Sequence, residues 1–266
     1  MAKLQDMFTQ AHRAQSGGGM GFVGKHRTER KARAAALVVE QEAIVAGSAE
    51  AALKAGADGI LFKWDGNGKD QLDTLKQEIE SAKAQKENTV TGLHITGELA
   101  SLTAEGLREL KDLGVQYIIL PFNAPARLLA LETKDLEKVI VVPMRKDENY
   151  ALYIRNLTAF EHIAAVLLDF DLTDKVGQLT IEEILDYRAV REAVRFPAFI
   201  YVNGSLSEED AYTINTLGIQ AVILPANESD DATRDQVKSL RELLEKVHQD
   251  EKDKDSPSLP SGGRSK

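Results

Sequence analysis

Lys63 sits between two aromatic residues in the triplet Phe62-Lys63-Trp64. On an extended strand the two rings share one face and the lysine takes the other. Burial there lowers an ammonium's pKa, which would suit Lys63 to act as a base, a Schiff-base nucleophile or an electrostatic clamp on an anion. Asp169 and Glu40 are the candidate acid/base partners, and His94 is a candidate second proton carrier. Arg145, Asn123, Tyr201, Asn203, Gly204, Ser205 and Asn227 complete the set as candidate ligand-binding groups. A structural alternative stands beside this one, a Glu40–Lys63–Asp169 ion-pair network that only satisfies itself.

These residues come together only if particular elements carry them. Short apolar, β-branched runs recur at Ala35–Glu40, Gly59–Asp65, Thr91–Gly97, Gln116–Phe122, Lys138–Met144, Ala164–Phe170, Phe196–Gly204 and Gln220–Ala226. Amphipathic segments such as Gln71–Ala84, Ala104–Leu113, Ile181–Val194 and Thr233–Asp250 lie between them, with apolar residues three and four apart. Strands alternating with helices imply parallel pairing through right-handed crossovers. Eight such units predict an α/β fold, a (β/α)8 barrel over residues 34–250, rather than an open doubly wound sheet.

In such a barrel the outward side chains must be apolar, so alternation sorts the faces. Ile60, Phe62 and Trp64 face the helices while Leu61 and Lys63 face the axis. Glu40, His94, Tyr117, Asn123, Arg145, Asp169, Tyr201 and Asn227 are likewise expected inward, near the strands' C-terminal ends where barrel active sites lie. Leu113–Asn123 (LGVQYIILPFN) and Leu217–Asn227 (LGIQAVILPAN) are identical at seven of eleven positions. They fall four units apart, the spacing of a barrel made from two half-barrels.

The ends read differently. Residues 1–33 form an N-terminal arm with a helix at Lys3–Ala14, Met20 and Phe22 as anchors against the barrel bottom, and the basic run KHRTERKAR. That run (Lys25, His26, Arg27, Arg30, Lys31, Arg33) is a solvated face or a contact for an acidic protein partner. The tail at 251–266, rich in charge and then in Ser, Pro and Gly, is expected to be disordered.

Composition removes whole classes of function. The 266 residues include no cysteine, which excludes disulfides, thiolate chemistry and iron–sulfur clusters. A net charge of −9 argues against nucleic acid or an anionic membrane as partner. No apolar stretch is long enough to span a bilayer and no secretion signal opens the chain, so a cytoplasmic protein is expected. Asp65, Asp169, Asp171 and Glu40 are the acids that could converge on Mg²⁺, but no metal-ligand spacing stands out. Neither a metal nor a cofactor is expected; a flavin enzyme is a third and weaker reading, with no flavin signal of its own.

The segment Asn203–Ser229 (NGSLSEEDAYTINTLGIQAVILPANES) resembles the last two units of the phosphate-binding barrels of the ribulose-phosphate-binding type, through Gly204, Ser207, Asp210 and Gly218. Lys54–Phe62 (KAGADGILF) is similar to a helix-to-strand junction of the same families. The resemblance implies a (β/α)8 fold and a phosphate held on backbone N–H groups at Gly204–Ser205. The chain departs from the pattern after its last strand, where Pro225, Ala226, Asn227 and Glu228 replace a Gly-Ser/Thr pair. The family's catalytic residues have no counterparts here. The sequence therefore leads to a barrel enzyme acting on a small anionic metabolite, phosphorylated or not, by lyase, aldolase or isomerase chemistry. A non-catalytic barrel for ligand binding or assembly is the alternative, and a homo-oligomer is compatible with either.

Overall fold

The structure, a computed structural model, describes residues 4–13, 31–66, 69–97, 99, 102–170, 176–202, 206–227 and 230–255. Its strands are β1 (Ala36–Gln41), β2 (Gly59–Trp64), β3 (Val90–Ile95), β4 (Tyr117–Leu120), β5 (Glu137–Pro143), β6 (Ile163–Asp169), β7 (Ala198–Tyr201) and β8 (Ala221–Pro225). The helices are α1 (Leu4–His12), α2 (Ser48–Ala55), α3 (Lys69–Gln85), α4 (Ala104–Asp112), α5 (Arg127–Ala130), α6 (Tyr150–Ile154), α7 (Ile181–Val194), α8 (Glu208–Thr216) and α9 (Asp230–Asp255). Each strand pairs in parallel with its neighbours, and β8 pairs with β1, so the sheet closes as a (β/α)8 barrel. Every expected strand is present. Among the described residues no helix is long and apolar enough to cross a membrane.

Two apolar layers follow from the alternation. Leu37, Val39, Ile60, Phe62, Leu93, Ile118 and Leu224 pack outward under the helices. Val38, Leu61, Val90, Ile119, Val139, Leu167, Phe199 and Ile223 fill the interior. Tyr117 lies across that interior because β3 gives it room. A Cβ on Gly92 would come within 2.1 Å of the Tyr117 ring, so only glycine fits there.

The interior is closed at the bottom by α1. Leu4, Met7, Phe8 and Ala11 share one face and are buried with the barrel's inner side chains. Phe8 meets Phe199 edge to face at 5.4 Å, and the Leu4 N–H donates to Glu137 at 2.8 Å. The plug is therefore the first helix; Met20 and Phe22, the expected anchors, lie outside the described residues, as do Lys25, His26, Arg27 and Arg30 of the basic run and 256–266 of the tail, while residues 251–255, expected to be disordered, continue α9. Arg33 also departs from expectation. It is not part of a solvated basic face but is buried against Asp58 at 2.7 Å.

Asp58 fixes the start of the first two strands. It accepts from Arg33 and from the Leu37 N–H at 2.9 Å, with Lys86 3.6 Å away. Burial raises its pKa, but Arg33, Lys86 and the Leu37 N–H outweigh that and hold the carboxyl below its ordinary value.

The repeated segments occupy equivalent places. Gln116 accepts on its side chain from the Thr91 N–H at 2.8 Å, and Gln220 accepts likewise from the Ala198 N–H at 2.8 Å. The Gln116 carbonyl receives Glu137 N–H of the next strand, and the Gln220 carbonyl receives Ala36 N–H. Gly114 and Gly218, with φ of 102° and 71°, close the preceding helices in the left-handed region. One Gln device thus seats both β4 and β8.

Two outcomes test these contacts. Phe8→Ala should cost about 3–5 kcal/mol in urea unfolding, through loss of the plug's largest side chain. Asp58→Asn should cost about 3–5 kcal/mol by leaving Arg33 buried without its counter-charge. The stabilisation from Asp58 is complete above the ordinary carboxylate pKa and lost as pH falls through its lower folded value. Acid unfolding of Asp58→Asn should accordingly be shallower than that of the wild type.

Candidate functional site

Glu40, Lys63 and His94 are each the penultimate residue of their strand, and Tyr201 is the last of β7. Lys63 and His94 are Cα partners across β2 and β3. Alternation turns all four toward the axis at the mouth.

Glu40 is the centre of the cluster. Its carboxylate is wholly buried, and Oε1 accepts from Tyr201 Oη at 2.7 Å and lies 2.9 Å from His94 Nδ1. Tyr201 Oη and His94 Nδ1 are themselves 3.1 Å apart. A carboxylate oxygen only accepts, so the Nδ1 proton belongs on His94, which in the neutral ring leaves the lone pair on Nε2, on the far side. Lys63 Nζ stands 3.4 Å from Glu40 Oε2 and 2.5 Å from Glu42 Oε1.

The surroundings decide what each group can do. Burial pushes the Tyr201 phenol far up, and the Glu40 charge and hydrogen bond push it further, so it acts as a donor. Tyr117, lower in the barrel, is held protonated for the same two reasons, burial and Glu40. For Lys63 burial lowers the pKa, but Glu42 and Glu40 outweigh it and the net shift is upward. This corrects the expectation of a depressed lysine. Lys63 is a lasting cation, suited to clamping negative charge rather than to forming a Schiff base. The Lys63 side chain keeps 29% of its exposure and His94 keeps 15%, so both remain open to the mouth.

Other expected members lie apart. Asp169 ends β6 exposed, and the ion pairs of Lys63 run to Glu40 and Glu42 instead. Arg145 is two residues beyond β5, exposed, with its guanidinium over the Phe122 and Tyr150 rings at 5.6 and 5.7 Å. Asn123 lies exposed in the turn after β4. Asn227 turns to α9, its N–H on Thr233 Oγ1 at 2.9 Å and its amide on Gln236 at 2.5 Å. Asn203, Gly204, Ser205 and Asp171 lie outside the described residues. Ser207 and Asp210, two residues of the phosphate-barrel pattern, cap α8 reciprocally at 3.2 and 2.7 Å.

Glu42 was missed, and no sequence signal marked it, because it follows the strand where alternation no longer orients side chains. It also lines a cleft of about 300 Å³ with Val45, Ala226 and Asn227, between the loops after β1 and β8. Among the described residues no group of three or more His, Asp or Glu could hold a metal ion.

No family model matches the chain, and no curated protein matches it. Solved structures do. Tryptophan synthase from Mycobacterium tuberculosis aligns at 16% identity and a TM-score of 0.58, over 80% of this chain and 93% of that one. Phosphoribosyl anthranilate isomerase from Thermus thermophilus aligns at 12% identity and 0.55, over 80% and 99%. An HpcH/HpaI aldolase from Desulfitobacterium hafniense aligns at 11% identity and 0.51, over 79% and 94%. What they share with this chain is the fold. The likeness reaches the barrel and goes no further, since similar barrels host unrelated chemistries.

The upward shift of Lys63 is directly measurable. Its ammonium, followed by NMR, should titrate above the ordinary lysine value of 10.5. Glu42→Gln should bring it down. A raised folded pKa contributes stability that is present at neutral pH and lost as pH climbs through that folded value, so Glu42→Gln should also blunt alkaline destabilisation.

Proposed function

We propose that this chain is an enzyme that moves a proton at a carbonyl-activated carbon of a small anionic metabolite, in lyase, aldolase or isomerase chemistry. One observation carries the reading. A fully buried carboxylate, Glu40, orients His94 through Nδ1 while a charged lysine stands beside it, at the end of the strands where barrels work.

In this scheme His94 Nε2 takes the proton from carbon and later returns it. Glu40 stabilises the imidazolium that forms, and Tyr201 anchors Glu40 as a fixed donor. Lys63, kept charged by its two glutamates, faces the oxygen on which negative charge develops. Solved structures described as an isomerase and an aldolase share the fold, which supports this kind of catalysis. The anionic, phosphorylated character of the metabolite rests on Lys63, the exposed Arg145 and the resemblance at Gly204–Ser205.

A second reading, a barrel that binds or assembles without catalysis, is favoured by one feature: the charge of Lys63 is already matched by two carboxylates.

The test is exchange of substrate C–H for deuterium, followed by NMR across a panel of keto acids and sugar phosphates. The wild type should exchange one class. His94→Gln should slow that exchange by about 10²–10⁴-fold, and Lys63→Met by about 10²-fold, while both variants stay folded. If no compound exchanges and none raises the melting midpoint, the proposal fails and the second reading stands.

A further inference from the structure

The described part of the mouth is not where the chain concentrates positive charge. That concentration lies at the opposite end of the barrel. A cleft of about 460 Å³ opens there between the end of α2, the middle of α9 and the segment leading into β1. Six side-chain cations line it against three carboxylates, in a protein whose net charge is −9.

Two of those three carboxylates are already committed. Asp58 is held by Arg33, Lys86 and the Leu37 N–H, and Glu245 accepts from Arg241 Nε at 2.9 Å. Lys31 and Lys238 are exposed on the rim and have no anionic partner among the described residues. Lys54 pairs with Glu50 outside the cleft, so the excess of positive charge rests on Lys31 and Lys238 and on Arg33 and Lys86 sharing the one carboxylate of Asp58.

A second, independent observation comes from Arg33. Its side chain is 5% exposed, and its buried Nε–H has no acceptor. A buried guanidinium donor left unmatched is costly, more so than a neutral one. Arg33 lines the cleft, so a small shift of its side chain would bring that donor to an anion held there.

The backbone beneath is shaped for close approach by cations. Gly56 ends α2 with φ of 119°, and a Cβ there would come 2.7 Å from Arg241 Nη1. Its absence lets the Arg241 guanidinium lie over the helix end. Lys86 Nζ donates to the Ala57 carbonyl at 3.2 Å and has the Asp58 carbonyl at 3.4 Å, tying it to the same turn.

We propose that this cleft is a binding site for a small phosphate-bearing polyanion. Its volume lies in the range of small-molecule sites. No aromatic side chain lines it, so nothing is present to stack a nucleobase, and the ligand is held by its charged groups alone. Arginine and lysine at a shared site suit phosphate oxygens, the first by its fork and the second as a point charge. Occupancy would tie α2, α9 and the segment before β1 together. The site is separate from the mouth, so it stands or falls independently of the catalytic reading.

The experiment is a thermal-shift and calorimetric titration of the full chain with inorganic tripolyphosphate. Binding to the folded state should raise the wild-type midpoint with concentration. The exposed pair Lys31→Gln/Lys238→Gln should fold normally and lose affinity by about tenfold or more, and added salt should weaken binding in the wild type. Lys76→Gln/Lys134→Gln makes the same charge change elsewhere and should bind as the wild type does. Lys63→Met should also retain binding. The proposal is overturned if millimolar tripolyphosphate gives no shift. It is equally overturned if the Lys76/Lys134 pair weakens binding as much, or if Lys63→Met abolishes it.

Discussion

A carboxylate with no exposure, placed near the axis of a closed sheet, sets the terms for everything at the mouth. Glu40 cannot be solvated by water, so the strands around it must supply its counter-charge and donors. Lys63, His94 and Tyr201 do this from β2, β3 and β7, three strands with different sequence neighbours. The cluster consequently depends on barrel closure itself. A slip of one residue in any of these strands would turn its polar side chain under the helices and take one partner from Glu40. At the other end of the barrel, Asp58 and Arg33 impose a similar condition on the starts of β1 and β2. The geometry of the mouth cluster and structural integrity thus share their determinants, and the α1 plug adds an apolar floor beneath them.

How much of this was legible in the sequence depends on position along each strand. Within strands the two-residue period is strict, so Glu40, Lys63, His94 and Tyr201 were oriented correctly by alternation alone. Past the strand ends the same extrapolation failed. Arg145 lies two residues beyond Pro143 and Asn227 two beyond Pro225, and both are oriented by local contacts, with aromatic rings in one case and α9 in the other. Asp169 was assigned to the wrong partner for a different reason: alternation gives a facing but no distance around the ring, and β6 is remote from β1 in strand order. Sign also escaped the sequence. Lys63 was expected to be depressed by burial, but Glu42 and Glu40 together outweigh that burial, and Glu42 lies beyond the strand where alternation could not place it. Helices α5 and α6, of four and five residues, are too short to show a period.

The two ends of the barrel differ in electrostatic character. At the mouth the described lysine is matched by buried and half-exposed carboxylates, whereas the bottom cleft carries more cations than its carboxylates neutralise. Such a polarity would orient a diffusing anion before contact, because potentials in low-dielectric clefts outlast those of isolated surface charges.

The paired glutamines have a topological consequence. Each of Gln116 and Gln220 ties the last strand of its half to the strand before it through the side chain, and to the first strand of the other half through its main-chain carbonyl. The ring therefore has two seams of one design. A chain opened at either seam presents a fitting that the corresponding half of another copy already complements. Exchange of half-barrels between chains would need no new chemistry, and a closed dimer of swapped halves would repeat every hydrogen bond of the seam it replaced.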